Sequence, residues 1–203
     1  MNSIDDLDFS KTYTYADYYS WRFEERLELI KGKIFRMSPA PGGNHQTIAL
    51  NIGSDLNYFL KDKTCRVYVA PFDVRLVRDE KSDKKVKTVV QPDVCVICDV
   101  AKMADQRSCL GAPDIVVEIL SPGNNKKELK TKYDLYEEFG VKEYWVVYPG
   151  EQSVIQYVLN EKGKFVAEGR ALTLGDKIIT PILPGFELAL DDVFRNLLLS
   201  SNE

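Results

Sequence analysis

Two apolar, β-branched runs each carry an acid in their interior. Asp93 lies within Val89-Val90-Gln91-Pro92-Asp93-Val94-Cys95-Val96-Ile97, and Glu118 within Asp114-Ile115-Val116-Val117-Glu118-Ile119-Leu120. Runs of this kind form strands packed into a core. An isolated carboxylate there costs several kcal/mol unless it is ion-paired or holds a cation. Any fold for this chain must therefore bring a partner to each acid. A lysine-rich stretch containing Lys132 follows the second run.

The chain has 203 residues, 44% of them hydrophobic, enough for one domain with a substantial core. A net charge of -4 argues against a protein held on nucleic acid by bulk charge, so any such contact must be local or metal-bridged. The acidic N-terminal stretch and the absence of any apolar run approaching about 18 residues predict neither a signal peptide nor a membrane span. The expected location is the cytoplasm. Cys65, Cys95, Cys98 and Cys109 fit reduced thiols better than a disulfide framework in a chain of this size. Cys95 and Cys98 have the spacing of half a zinc site. On a strand, however, residues three apart face opposite ways, and the chain has a single histidine.

The apolar periodicity predicts an N-terminal helix over residues 12–25, then a strand pair over residues 27–37 turning at Lys31-Gly32. A proline- and glycine-containing breaker over residues 38–44 ends in Asn44 as a candidate helix cap. The helix after it aligns His45, Ile48, Ala49, Ile52, Leu56, Phe59 and Leu60 on one face. Residues 66–77 and 89–98 read as a hairpin around a charged loop, and residues 114–120 as the next strand. Asn125 and Glu128 have capping-box spacing ahead of a helix with a Leu129, Tyr133 and Tyr136 stripe. Strands over residues 143–148 and 153–159 and shorter pieces over residues 164–194 complete an α/β pattern, a mixed sheet flanked by helices.

Strand geometry sorts the acids. Asp114 and Glu118 are four apart on one strand, so their Cα atoms are roughly 13 Å apart, too far to share one ion directly. Neighbouring strands lie only about 4.8 Å apart, which favours Asp93 with Glu118. Asp114 better suits hydrogen bonds at the start of its strand. Leu120 stands two residues after Glu118, where many nucleases with two strand carboxylates place a lysine. Among the lysines of the next helix, Lys132 borders the apolar stripe and is the one expected to turn toward the sheet. Lys126, Lys127 and Lys130 suit phosphate contact or solvent.

Several segments together resemble the Uma2 family of restriction endonucleases, within the PD-(D/E)XK nuclease superfamily. They are Leu27-Glu28-Leu29-Ile30-Lys31-Gly32-Lys33-Ile34, Gly43-Asn44-His45, Gln91-Pro92-Asp93, Val116-Val117-Glu118-Ile119-Leu120-Ser121-Pro122, Lys132-Tyr133-Asp134-Leu135-Tyr136, Gly140-Val141-Lys142-Glu143-Tyr144-Trp145 and Leu183-Pro184-Gly185-Phe186. The resemblance implies one restriction-endonuclease-like domain over residues 1–203, with a core over about residues 15–160 and a C-terminal β extension over about residues 161–195. It also implies a DNA substrate and Mg²⁺, with Mn²⁺ as a substitute, and Asp93, Glu118 and the Ile119 carbonyl as metal ligands. Lys132 would be a displaced catalytic lysine, with Glu28 and His45 further site residues. On residue patterning alone, Glu28 also suits the solvent face of a strand, and His45 a core position. A homodimer follows by analogy with nucleases that cut duplexes.

In that reading Mg²⁺ polarises a phosphoryl oxygen and activates water, while Lys132 orients the water or offsets developing charge. Three other readings stand beside it. One is an inactive nucleic-acid-binding member of the fold. Another is a partner-binding domain whose acids are ion-paired, Asp93 with Lys132, and the third is an enzyme acting on a different phosphorylated substrate. Trp145, Tyr144 and Tyr157 read as core, and the 81–87 loop as the better nucleic-acid contact.

Overall fold

The computed structural model describes residues 3–37, 42–78, 82–121 and 126–198. Lys31 and Gly32 have φ of 53° and 81°, the paired positive values that close a tight hairpin with the twist strands require. They join β1 (Leu27–Ile30) to β2 (Lys33–Arg36). Upstream, α1 (Tyr15–Ser20) has only six residues, fewer than the aromatic spacing predicts. A capping box between Thr14 and Asp17 starts it, and at Trp21 the backbone is already extended. Trp21 and Phe23 leave helical spacing to stack on each other and pack against Ile4, Leu7 and Leu27.

The helix α2 (Gly43–Phe59) is capped by Gly42 rather than by Asn44. The Asn44 side chain instead bonds the main chain of Leu198 through both its oxygen and its nitrogen. Ile48, Ile52 and Leu56 form its buried stripe. Gly53 lets the neighbouring strand approach, because a Cβ there would lie 2.9 Å from Val69 Cγ1. The breaker over residues 38–41 and the Asn125 cap lie outside the described residues.

The hairpin expected over residues 66–98 is divided between two sheets. Its arms become β3 (Arg66–Val69) and β4 (Val74–Arg75), then β5 (Val89–Val90) and β6 (Val94–Ile97). Each arm breaks around a proline, Pro71 or Pro92, which has no N–H to give a ladder. β3 pairs with β6 and β4 with β5, in separate sheets. The chain continues through β7 (Cys109–Leu110), β8 (Ile115–Ile119), α3 (Lys126–Phe139), β9 (Glu143–Tyr148), β10 (Ser153–Leu159) and β11 (Phe165–Ala167). It ends with the hairpin β12 (Lys177–Ile179) and β13 (Glu187–Ala189), then α4 (Leu190–Val193). The larger sheet has the order β11-β10-β9-β8-β6-β3 and is mixed, because β8 and β9 run parallel; the smaller is β2-β1-β5-β4-β7.

Alternation along the strands decides what each face meets. Val94, Val96, Ile115, Val117, Trp145 and Val147 pack against α2 and the C-terminal residues Ile178, Phe186 and Leu190. Cys95, Ile97, Val116, Tyr144 and Val146 pack on the other face with Leu135 and Tyr136 of α3, and Ile30, Val74 and Val90 of the smaller sheet join that cluster. The α3 helix therefore touches both sheets.

Cys65 and Cys98 extend the β3–β6 register by one step and form a disulfide, where the sequence predicts reduced thiols. Their opposed positions on paired strands, far apart in the chain, bring the sulfurs within bonding reach. Cys95 and Cys109 are free and buried. No described helix is long and apolar enough to cross a membrane.

Candidate active site

Acids from both sheets meet one lysine at the face of α3. Continuing the β6–β8 register one step beyond Val94 and Val117 sets Asp93 opposite Glu118. Asp93 follows the proline break, and its main-chain carbonyl accepts the Ala70 N–H at 2.9 Å. Its Oδ2 accepts the Ile119 main-chain N–H at 2.8 Å, and His45 Nε2 lies 3.3 Å from the same oxygen. His45 arrives from the first turn of α2, and its buried Nδ1 has no partner among the described residues. Burial alone would lower the His45 pKa, but the hydrogen bond and charge of Asp93 prevail and raise it.

Glu118 Oε1 accepts from the Tyr136 hydroxyl at 2.5 Å and from Lys132 Nζ at 3.2 Å. Burial pushes its carboxyl up to about 7, with the Lys132 charge acting in the opposite sense. Glu28 sits on β1, on the same face as the core residue Ile30. Its Oε1 accepts from Lys132 Nζ at 2.5 Å and from the Gln91 main-chain N–H at 2.9 Å. It is buried, not on a solvent face. Lys132 falls in the buried stripe of α3 with Leu135 and Tyr136, which carries its ammonium inward. Burial disfavours that charge, yet Glu118 and Glu28 outweigh it and hold the Lys132 pKa above its ordinary value.

The pairing is therefore Lys132 with Glu28 and Glu118, and Asp93 with His45, in place of an Asp93–Lys132 pair. Asp114 is elsewhere: its carboxylate accepts from the Cys98 main-chain N–H at 2.7 Å and from Lys142 at 2.6 Å. Lys127 lines the cavity above the acids, while Lys130 is exposed and paired with Asp134. Lys81 lies outside the described residues. Val86 and Lys87 pair with Tyr15 and Gly32 through the main chain, away from the cavity lining. Tyr144 and Trp145 are buried in the two cores.

Several contributors had no assigned role in the sequence reading. The Gln91 side chain accepts from Arg26 at 2.8 Å and 3.1 Å and donates to Asp73 at 2.9 Å and Tyr18 at 3.2 Å. Its own N–H fixes Glu28, so this network sets the position of that carboxylate. Tyr136 stands four residues after Lys132, on the same helical face, and that spacing is the signal that could have found it.

Among the described residues, no three His, Cys, Asp or Glu side chains form a ready-made metal cage. The donor chemistry still suits Mg²⁺, which takes one or two carboxylates and completes its shell with water. Asp93 and Glu118 supply hard oxygen donors on adjacent strands, each with one carboxylate oxygen outside the hydrogen bonds described above. The Ile119 carbonyl follows directly in the chain.

Residues 15–191 match the family model Uma2, described as "Putative restriction endonuclease". The fold is similar to the crystal structure of a "putative nuclease belonging to DUF820" from Anabaena variabilis, with a TM-score of 0.66 and 20% sequence identity over 90% of this chain and 97% of that one. That likeness bears out the expected α/β, restriction-endonuclease-like architecture. No curated protein matches by sequence.

Proposed function

The chain belongs to the Uma2 restriction-endonuclease family, and on that footing we propose that it hydrolyses phosphodiester bonds in DNA with Mg²⁺, Mn²⁺ being able to replace it. The observation that carries this reading is Lys132 Nζ at 3.2 Å from Glu118, on the strand position opposite Asp93. Two strand carboxylates able to hold a divalent ion, with one buried ammonium, supply the charge stabilisation that phosphoryl transfer to water draws on.

Asp93 and Glu118 would hold the ion, with the Ile119 carbonyl as a third oxygen. When bound, the ion supplies Lewis-acid stabilisation of the phosphoryl group. Lys132 orients the attacking water and offsets negative charge gathering on the phosphoryl oxygens. Glu28 shares that ammonium and fixes its direction. His45 engages one oxygen of Asp93 and leaves the other for the ion. The Ile119 N–H supports the same carboxylate from the strand.

A second reading, DNA binding without cleavage, draws on the double pairing of Lys132 with Glu28 and Glu118. Calorimetric titration of Mg²⁺ and Mn²⁺ into wild type and Glu118→Ala, alongside cleavage of labelled DNA, separates the two. Metal binding and cutting that both disappear in Glu118→Ala support the nuclease. Failure of wild type to bind either ion removes the basis of the mechanism. Binding without cutting favours the second reading.

A further inference from the structure

The β1–β2 register places Phe35 directly opposite Glu28, and opposed residues on paired strands share a face. Phe35 thus stands on the side of the hairpin that carries the glutamate bonded to Lys132. It lines the same cavity as Asp93 and Glu118. The residue is 44% exposed on the edge strand of the smaller sheet, so the core does not account for an aromatic side chain here.

The cavity is lined by both charged and apolar side chains. Asp93, Glu118 and Lys132 contribute charge, and Ile30, Phe35, Leu120 and Leu129 contribute apolar surface. Its volume is about 340 Å³, at the small end for ligand pockets, which suits one nucleoside-sized group. A second hollow of about 210 Å³ shares Leu129 and Tyr144 with the first and adds Tyr133, Tyr148, Tyr157 and Lys130. Tyr133, Tyr148 and Tyr157 there are half-buried, and aromatic rings of this kind are the groups on which bases of a single strand stack.

We propose that Phe35 is a stacking platform for an unpaired base beside the scissile phosphate, which makes an unpaired DNA strand the preferred substrate. In a continuous duplex each base face is already covered by its neighbours, so the ring has nothing to stack on. An unpaired nucleotide offers a free π face while its phosphate reaches the charged groups of the same cavity. The substrate assignment rests on the nuclease reading; the stacking contact does not.

The test compares wild type, Phe35→Ala, Phe35→Leu and Phe35→Tyr on a labelled single-stranded oligonucleotide and the same sequence as a duplex. Binding is read by fluorescence anisotropy in EDTA, cleavage with Mg²⁺, and folding by circular dichroism. Wild type should prefer the single strand by at least about fivefold, the size of one base-stacking contact. The preference should vanish in Phe35→Ala and Phe35→Leu and persist in Phe35→Tyr. Equal or tighter duplex binding by wild type, or a preference that survives in Phe35→Leu, overturns the stacking role. Duplex cleavage as fast as single-strand cleavage overturns the substrate class. If neither substrate is cut, yet the binding preference is present and depends on Phe35, the nuclease reading fails and the stacking platform stands.

Discussion

The Lys132 ammonium lies 3.2 Å from Glu118 Oε1, although the two residues sit on different elements 14 positions apart. The same ammonium reaches Glu28 at 2.5 Å, so one lysine serves buried acids from two sheets. The stripe that buries α3 makes this possible, because Lys132 occupies a position where a purely structural helix would carry an apolar residue.

Replacing Lys132 with Met leaves the buried Glu28 and the largely buried Glu118 without a counter-charge. Removing one partner of a buried ion pair costs about 3–5 kcal/mol, and urea unfolding should show a loss of that order. DNA cleavage should fall by at least about 10²-fold. Adding Glu28→Gln should recover part of the stability and none of the activity. Near-wild-type cleavage by Lys132→Met would remove the lysine from the chemistry.

Gln91→Leu removes the acceptor for Arg26 and the donor to Asp73 and Tyr18. Asp73 is already held above its usual carboxylate range by burial, with the Gln91 hydrogen bond acting in the opposite sense. Each unsatisfied partner costs about 1–3 kcal/mol. The variant should lose stability on that scale. Cleavage should drop about 10-fold, because Glu28 and with it the Lys132 ammonium lose their fixed position, and a loss of about 1.4 kcal/mol in transition-state stabilisation is about tenfold in rate. Full activity in a folded Gln91→Leu protein would show that Glu28 needs only the Gln91 N–H.

What was legible in the sequence follows its periodicities. An acid inside a β-branched run shows at once, and alternation puts Asp93 and Glu118 on the face with Cys95 and Val116, toward α3. Lys132 was readable because 132, 135 and 136 fall on one helical stripe. The roles of Gln91, Asp73 and Tyr18 were not, since their bonds join positions 18 and 73 apart and no local pattern marks such pairs. The aromatic spacing over residues 12–25 predicts a longer helix than α1, because rings spaced for a helix pack equally well from an extended chain. The apolar content of residues 66–98 predicts a continuous hairpin, and the two prolines divide it between the sheets.

Glu143 ties the C-terminal segment to the central sheet. It is fully buried and accepts from Thr180 at 2.5 Å, Trp145 at 2.9 Å and Gln156 at 3.1 Å. Glu143→Leu would strand three buried donors, at about 1–3 kcal/mol for each one left unsatisfied. Chemical denaturation should show a loss of at least about 3 kcal/mol. Cleavage per folded molecule should be unchanged, because Glu143 does not line the cavity. A milder loss in Glu143→Gln, which keeps one acceptor oxygen, would identify hydrogen bonding rather than volume as the cause.

Glu118 makes stability depend on pH in a direction opposite to that of an ordinary salt-bridged acid. Burial raises its carboxyl from 4.5 to about 7 in the folded protein. Between those values the folded state binds the proton more readily than the unfolded chain, so stability falls as pH rises through the window and levels above it. Without divalent metal, the wild-type melting temperature should therefore decline from pH 4.5 to 7 relative to Glu118→Gln, whose side chain stays neutral throughout. An ion can be held only by the deprotonated carboxylate, so Mg²⁺ affinity measured by calorimetry should climb across the same interval and then flatten. A constant melting difference between the two proteins across that range would mean that Glu118 is ionised throughout, and Lys132 would then be its permanent partner.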